Sequence, residues 1–288
     1  MKMKIDTLIL SGGGPSAIAY FGIFNSLFEN TIINEKLDGI REIITTSAGI
    51  FPSICLLIKF KLDLCKEIVL NYDLLKLVNM NNIKIDDILL DFGLFDTKDI
   101  GSFVKSILKN NIGKEDISLR ELYDFNKIKL TVKVFNATKK QLEYISYETD
   151  PDLSIVKLAQ MTTAIPLFFK PVEYNNYLYV DGGLRGHFPI EVCKSENYLG
   201  LFIRGGTMKK TGVLESFPLL EFMYSLMINQ DQTVYDIKNN KINKRIIYAQ
   251  IDYGLNFDVK KETKLDLIQK GYDITQKHLN QHSGKDTV

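Results

Sequence analysis

The chain has 288 residues, of which 45% are hydrophobic and 25% are charged, and its formal net charge is +1 at pH 7. The apolar fraction excludes a disordered protein, and the near-neutral charge argues against a nucleic-acid partner. The three cysteines form no CxxC pair, which suits a reducing, cytoplasmic compartment. Only three histidines are available for catalysis: His187, His278 and His282.

Apolar segments with the length of strands alternate along the chain with segments of helical periodicity, which predicts a parallel sheet flanked by helices. The predicted strands, in chain order, are 7–10, 42–46, 128–135, 142–147, 178–180, 199–203 and 246–251. The predicted helices are 17–29, 48–60, 62–77, 100–110, 119–125, 153–163, 214–228 and 264–279. The segment 79–95 is a candidate lid. We expect one domain over residues 1–281, followed by a polar tail over 282–288.

Three consecutive glycines, Gly12, Gly13 and Gly14, lie between the first predicted strand and the next helix. Glycine lets the backbone approach a ligand closely, and free N–H groups ahead of a helix attract an anion. The absence of Gly-Lys-Ser/Thr excludes a P-loop. A ligand-free turn and an oxyanion hole both remain open. A dinucleotide site also fits Gly12-x-Gly14-x-x-Ala17, although the second strand lacks the acidic residue that such a site requires.

The second predicted strand runs into Thr45-Thr46-Ser47-Ala48-Gly49 and then an apolar helix. A nucleophile elbow needs this placement, because a sharp turn with small neighbours lifts the serine hydroxyl above the sheet. Ala48 and Gly49 supply small neighbours, whereas Thr45 stands where the G-x-S-x-G pattern has its first glycine. A helix N-cap is the alternative role for Ser47.

Asp181 closes an apolar strand and is followed by Gly182 and Gly183. That position is at the carboxyl edge of a sheet, where the sites of α/β proteins collect. An ordinary Asp-Gly turn is the alternative. A serine nucleophile needs a proton acceptor, and Asp181 is a better candidate than His278 or His282, which fall in the terminal helix and tail.

These three segments, in this order, resemble the patatin-like phospholipase family. The marks of that family are a glycine-rich oxyanion loop, a G-x-S-x-G elbow and an aspartate in Asp-Gly-Gly/Ala. The segment 158–171, with its Thr-Thr-Ala-Ile-Pro, is similar to the family's segment before the hairpin that delivers the aspartate. The resemblance covers roughly residues 7–200. It implies a single-domain, three-layer α/β/α sandwich with a mostly parallel central sheet.

The resemblance also implies a serine–aspartate dyad that needs no histidine. Ser47 would attack the ester carbonyl, Asp181 would accept its proton, and the N–H groups of Gly12, Gly13 and Gly14 would hold the oxyanion. Water activated by the aspartate would then hydrolyse the acyl-enzyme. No cofactor is implied, and because the sequence shows no calcium loop and no Cys/His cluster, we expect no metal.

Four positions depart from the family pattern. Ser16 and Ala17 replace a basic residue and a glycine after the third glycine of the loop, and Thr45 replaces the first glycine of the elbow. His187 stands where the family often has asparagine, and we expect it to make loop hydrogen bonds rather than take part in catalysis. The departures motivate an alternative function, a catalytically impaired patatin-fold protein that binds lipid or acts as a scaffold.

The resemblance implies a phospholipid or acylglycerol substrate and leaves the headgroup, the acyl position and any activating protein open. No apolar stretch reaches the roughly 18–20 residues that span a bilayer, so we expect peripheral contact with membranes. The apolar segments 88–95 and 217–224 are candidates for an acyl groove or an interfacial surface, and ordinary core helices are the alternative. The lysine-rich segments 59–66, 238–245 and 260–264 fit either anionic headgroups or solvated faces.

Overall fold

The computed structural model describes residues 4–59, 61–78, 90–205, 245–251, 253 and 255–283. The strands are β1 (Thr7–Leu10), β2 (Glu42–Thr46), β3 (Gly93–Phe95), β4 (Lys129–Asn136), β5 (Gln141–Ile145), β6 (Leu167–Phe169), β7 (Val172–Tyr174), β8 (Tyr177–Asp181), β9 (Tyr198–Gly205) and β10 (Ile246–Ile251). The α-helices are α1 (Tyr20–Glu29), α2 (Ile50–Leu57), α3 (Leu62–Asn71), α4 (Lys98–Ile112), α5 (Leu119–Asn126), α6 (Ile155–Thr163) and α7 (Lys261–Ser283).

A central sheet organises this part of the chain, with the strand order β10-β9-β1-β2-β4-β8-β7 and with β5 paired to β4. The first five strands of that order are mutually parallel, whereas β5, β7 and β8 are antiparallel to their neighbours. Helices surround the sheet. The predicted α/β fold with a mostly parallel sheet is therefore confirmed.

The carboxyl-terminal ends of β2 and β8 face each other along one edge of β4. Strand β2 runs parallel to β4 and ends with Thr46 opposite Lys133. Strand β8 runs antiparallel to β4 and ends with Asp181 opposite the next residue, Val134. Strand β5 takes the other edge of β4. The carboxyl ends of β2 and β8 therefore converge on adjacent residues of one strand, and whatever follows Thr46 lies beside Asp181.

The two faces of the sheet are covered differently. In β1, Leu8 and Leu10 point into the main core, while Ile9 between them joins a smaller apolar cluster with Ile44 and Phe202. Phe188, which follows β8 in the chain, is fully buried in this smaller cluster and stacks on Phe202 with ring centroids 4.9 Å apart. The segment after Asp181 is thus anchored under the sheet by an aromatic side chain.

Most predicted elements are confirmed, with ends that differ by a few residues. The helices predicted over 17–29 and 48–60 begin instead with the 3-10 turns Gly14–Ala19 and Ser47–Gly49. The short strands β3, β6 and β7 were not predicted, because three residues carry too little periodicity. The predicted polar tail is still helical at Ser283. The predicted helix 214–228, the apolar segment 217–224, most of the lysine-rich segment 238–245 and residues 79–89 of the candidate lid lie outside the described residues.

The prediction of one continuous helix over 62–77 is wrong. Helix α3 ends at Asn71, and the Asp73 carboxylate accepts the N–H of Leu75 at 3.0 Å to start a separate 3-10 turn. Lys264 of α7 donates to three carbonyls at the end of α3, with Nζ–O distances of 2.5 to 3.4 Å. A local aspartate and a distant lysine together stop a helix that periodicity alone would continue.

Candidate active site

Ser47 occupies a strained turn between β2 and α2. Its φ is 51°, a left-handed conformation that costs a non-glycine residue about 1 kcal/mol or more. Helix α2 starts at Ile50 without any side-chain cap, so Ser47 is not its N-cap. The residue as a whole is only 6% exposed. The strain and the absent cap favour the nucleophile-elbow interpretation of this turn over the capping one.

A relay of hydroxyl groups holds the turn from below. The Ser47 N–H donates to Oγ1 of Thr162 at 2.8 Å, and that hydroxyl donates to the Lys133 carbonyl at 2.9 Å. The Thr46 hydroxyl donates to the same carbonyl at 3.1 Å. Thr162 was not identified from the sequence, although a polar residue among the buried residues of α6 is a signal that could have found it.

The threonine at the first position of the elbow is accommodated by the glycine at the last. A Cβ atom on Gly49 would lie 2.5 Å from Oγ1 of Thr45 and 2.5 Å from the carbonyl oxygen of Ser11. The Thr45 hydroxyl is fully buried and has no hydrogen-bond partner. This departure from G-x-S-x-G therefore leaves the turn intact, at the cost of an unpaired hydroxyl.

Asp181 is buried beside Ser47 and is only 4% exposed. Burial raises its pKa from 3.8 to about 6. Hydrogen bonds from the Ser47 hydroxyl and the Gly183 N–H, the latter at 2.7 Å, oppose that rise in pKa, as do the charges of His187 and Lys133. A carboxylate with a raised pKa in contact with a serine hydroxyl is suited to accept its proton near neutral pH.

The two glycines after Asp181 have distinct structural roles. A Cβ atom on Gly182 would lie 2.6 Å from the backbone oxygen of Lys133, so only glycine lets this turn pack against β4. Gly183 supplies the N–H that orients the Asp181 carboxylate. Gly182 therefore lets the turn pack closely on β4, and Gly183 holds the carboxylate of Asp181 in place.

The glycine loop packs directly on Ser47. A Cβ atom on Gly12 would lie 2.8 Å from Cβ and 3.4 Å from Oγ of Ser47. The Gly12 N–H already donates to the His187 carbonyl at 2.8 Å, whereas the N–H groups of Gly13 and Gly14 take no partner within the described part of the chain. Of the three predicted oxyanion donors, Gly13 and Gly14 are therefore the two that remain open to a ligand.

The loop positions that depart from the family are also buried. Ser16 donates its N–H to the Gly13 carbonyl at 3.1 Å, and its own hydroxyl is buried without a partner. Ala17 lines the cavity described below. Both positions therefore carry small, uncharged side chains, and the basic residue that the family has after the third glycine is missing.

The histidines lie where loop and helix packing hold them. His187 accepts the Gly12 N–H through its carbonyl, as expected for a residue in loop hydrogen bonding, and its ring lies 4.9 Å from that of Phe202. His278 and His282 pack against one another on α7, with ring centroids 4.6 Å apart. The Ser47 hydroxyl itself hydrogen-bonds the Asp181 carboxylate.

A cavity that is partly open to solvent lies beside Ser47, with about 820 Å³ of empty space when the solvent-filled part is included. Among its lining residues, only Ser47 and Thr163 carry a hydroxyl, and none is charged. The lining residues are Gly14, Pro15, Ala17, Ile18, Phe21, Ser47, Ala48, Phe51, Pro52, Cys55, Val69, Leu74, Leu77, Ile100, Phe103, Ile107, Thr163, Ile165, Phe169 and Phe257. Such a lining suits a hydrocarbon chain whose polar end reaches Ser47.

Among the residues that the structure describes, there is neither a helix fit to span a membrane nor a cluster of side chains fit to bind a metal ion. No helix in these ranges has the length and apolar character needed to cross a bilayer. No group of three or more His, Cys, Asp or Glu side chains in the same ranges is placed to hold a metal ion.

Comparisons with known proteins identify relatives of the chain. The model of the patatin-like phospholipase family matches residues 8–194, well over half of the chain. Probable lipid hydrolase 463L of Invertebrate iridescent virus 6 is 29% identical over 189 residues, which cover 65% of this chain and 62% of that protein. Uncharacterized protein R571 of Acanthamoeba polyphaga mimivirus is 22% identical over 280 residues, covering 94% of this chain and 90% of that protein.

The solved structure of VipD from Legionella pneumophila has the same fold. Its TM-score is 0.64 at 19% sequence identity, over 97% of this chain and 67% of that one. The chain spans less than two thirds of the length of the iridescent virus protein that it matches.

Proposed function

Because the chain belongs to the patatin-like phospholipase family, we propose that it is a lipid acyl hydrolase whose nucleophile is Ser47 and whose base is Asp181. The observation that carries the proposal is the convergence of β2 and β8 on β4, which brings a serine at φ 51° into contact with a buried carboxylate. The relative named Probable lipid hydrolase 463L supports the class of substrate.

Acylation begins when Oγ of Ser47 attacks the ester carbonyl carbon and its proton passes to the Asp181 carboxylate. The carbonyl oxygen becomes an oxyanion, which the N–H groups of Gly13 and Gly14 stabilise. When the tetrahedral intermediate collapses, the C–O bond to the alcohol breaks and Asp181 returns the proton to the leaving alkoxide. The products of this half-reaction are an ester of Ser47 and a free alcohol.

Deacylation repeats these steps with water. Asp181 accepts a proton from the water as its oxygen attacks the acyl-enzyme carbonyl, and Gly13 and Gly14 again hold the oxyanion. Collapse of the intermediate breaks the bond to Ser47, whose oxygen recovers the proton from Asp181. A fatty acid leaves, and the enzyme returns to its starting state.

The cavity supports a long-chain acyl substrate. Its apolar walls extend from Ser47 along α2 to Cys55, toward α3 at Val69, and to Ile107 on α4. Burying a methylene group in such a lining contributes about 0.8 kcal/mol. We assign the acyl chain to this cavity and the alcohol portion of the ester to the solvent side of Ser47.

Exposed apolar side chains just before β3 support peripheral contact with a lipid surface. Leu90 is 75% exposed and Phe92 is 57% exposed. They immediately precede β3, whose partner strand β6 contributes Phe169 to the cavity lining. In the described part of the segment 88–95, these two side chains therefore fit the interfacial interpretation better than that of an ordinary core helix.

A fluorophosphonate acyl mimic tests the proposal. We expect one equivalent to attach to Ser47, identified by mass spectrometry of the Ser47 peptide, and we expect Ser47→Ala to abolish both labelling and ester turnover. Ser53→Ala is the matched control, because Ser53 is a buried serine on α2 whose hydroxyl bonds only the Gly49 carbonyl in the structure. An unlabelled wild-type protein that still binds lipid vesicles would instead support the impaired, lipid-binding function.

Val69→Phe is expected to shift chain-length preference. Val69 is a partly exposed cavity-lining residue on α3, so a phenylalanine can be admitted while it shortens the space available to an acyl chain. Turnover of a p-nitrophenyl palmitate should fall roughly 10-fold relative to that of the butyrate. Leu64→Phe, on the same helix but 47% exposed and outside the lining, should leave the ratio unchanged. Equal effects on both esters would argue against the cavity as the acyl site.

A further inference from the structure

A buried ammonium group lies behind the candidate dyad. Lys133 belongs to β4, and its side chain is only 1% exposed. All three Nζ protons have acceptors: the Arg185 carbonyl at 2.9 Å, the Gly186 carbonyl at 2.8 Å and the Glu191 carboxylate at 2.6 Å. Burying a charge is costly even when it is well paired, so apolar packing would stabilise the fold at least as well. The placement suggests a role other than stability.

The carboxylate partner of Lys133 is itself fixed by a second donor. Tyr144 lies directly opposite Lys133 on β5, and its hydroxyl donates to the same Oε1 atom of Glu191 at 2.6 Å. Burial, and then the bond to Glu191, raise the pKa of Tyr144, which keeps its proton on the hydroxyl. The ammonium therefore rests on a carboxylate that cannot easily move away.

The carbonyls that Lys133 holds belong to the turn that joins Asp181 to His187. At one end of this turn, the Gly183 N–H orients the Asp181 carboxylate. At the other end, the His187 carbonyl accepts the Gly12 N–H and so fixes the glycine loop. One ammonium thereby braces the segment that positions both the base and the oxyanion loop.

We propose that Lys133, held by Glu191 and Tyr144, is a positioning residue that keeps Asp181 and the glycine loop in register with Ser47; this inference rests on the proposed function. The backbone of Lys133 acts in the same direction, because its carbonyl accepts the hydroxyl protons of Thr46 and Thr162 below the elbow. A single residue of β4 thus contacts the supports of every part of the site.

The charge of Lys133 gives the proposal an electrostatic signature. Among the described residues, the ionisable groups whose charges act on Asp181 are Lys133 from β4 and His187 from its own loop. The elbow presents the Ser47 hydroxyl, and α6 presents the Thr162 hydroxyl to the Ser47 N–H. Glu191 partly neutralises the ammonium. Removing the lysine charge should raise the pKa of Asp181, whereas removing the Glu191 charge should lower it.

The test measures the pH dependence of fluorophosphonate labelling and of kcat/KM for Lys133→Met and Glu191→Gln. We expect the acidic limb of both pH profiles to move to higher pH by about half a unit in Lys133→Met, and to lower pH by a similar amount in Glu191→Gln. The lysine variant should also lose roughly 10- to 100-fold in kcat with a smaller change in KM, because the base is misplaced while the acyl cavity is intact. If Lys133→Met does not fold, the shift in Glu191→Gln decides.

Lys129→Met is the matched control, since Lys129 is an ion-paired lysine four residues earlier on β4 and contacts Glu42 and Glu148. The Lys129→Met substitution should leave the acidic limb of both pH profiles unchanged. Opposite shifts that persist in a His187→Gln background support the proposal, and shifts that vanish there assign the effect to His187 and overturn it. If the wild type is labelled but the acidic limb of the pH profile moves in neither Lys133→Met nor Glu191→Gln, the inference is overturned and the proposed function stands. If the wild type takes no label, the proposed function is overturned.

Discussion

Asp181→Asn is expected to be more stable than the wild-type protein at about pH 8 while losing roughly 10³- to 10⁴-fold of its ester turnover. The buried carboxylate, whose pKa is raised from 3.8 to about 6, must be ionised at that pH, and the amide removes this cost. A rise of that size corresponds to about 3 kcal/mol. The amide oxygen can still accept the Gly183 N–H, and the oxygen of the Ser47 hydroxyl is available to accept one N–H of the amide.

The pH window of this stabilisation follows from the direction of the pKa shift. Between about pH 4 and 6 the folded wild-type protein keeps a proton on Asp181 that the unfolded chain has lost, so its free energy of unfolding falls as the pH rises. The advantage of Asp181→Asn should therefore be largest above pH 6 and absent near pH 4. In the wild type, kcat/KM should rise through an apparent pKa near 6 as the base ionises.

Denaturant unfolding at several pH values, together with initial rates on a soluble ester, checks both parts. Asp124→Asn is the control, because Asp124 is an exposed carboxylate paired with Lys127, and we expect it to change neither stability nor turnover appreciably. An Asp181→Asn protein that retains most of its turnover would contradict the role of Asp181 as the base. Unchanged stability at about pH 8 would contradict the raised pKa.

The parts of the site that could be predicted from the sequence are those that follow strand ends. Ser47 and Asp181 each close an apolar strand, and small residues follow both. The carboxyl edge of a sheet was therefore a sound expectation for each residue separately. Their mutual contact was implied by family resemblance alone, since no local pattern shows that β2 and β8 share one edge of β4 and run toward each other.

The parts that could not be predicted depend on contacts between distant segments. Thr162 supports Ser47 from 115 positions away along the chain. In the sequence, Lys133 is only a polar residue within a strand, and its role depends on the two carbonyls that it contacts in the fold. The N–H of Gly12, one of the three predicted oxyanion donors, donates to the His187 carbonyl. Such pairings are set by how the turn after β8 folds back over β4, and local propensity carries no information about them.

Similar reasons explain the differences in secondary structure. The break after α3 depends partly on Asp73, which is local, and partly on Lys264, which reaches it from the terminal helix. The hairpin between β7 and β8 turns on Asn175 and Asn176, both with positive φ, which is the signature of a two-residue turn. The Asn-Asn dipeptide could have predicted this turn from the sequence, whereas the three-residue strand before it is too short to show a strand pattern.

Gly12→Ala is expected to lower ester turnover by roughly 100-fold or more, because an added methyl group cannot fit between the glycine loop and the elbow. Its Cβ would lie 2.8 Å from Cβ of Ser47, a separation that side chains do not adopt, so the loop or the serine must shift. A shift of the loop moves the Gly13 and Gly14 N–H groups away from the oxyanion and strains the Gly12–His187 hydrogen bond. Steady-state rates and fluorophosphonate labelling measure the loss.

Gly113→Ala separates this effect from the general cost of replacing a glycine. Gly113 ends α4 at φ 72°, and nothing lies within 4 Å of the position that its Cβ would take. The control should therefore lose about 1 kcal/mol of stability through backbone strain and keep its turnover. Gly12→Ala should fail in catalysis at temperatures where it remains folded. If its turnover matches that of Gly113→Ala, the glycine loop is a passive turn and the oxyanion must be held by other donors.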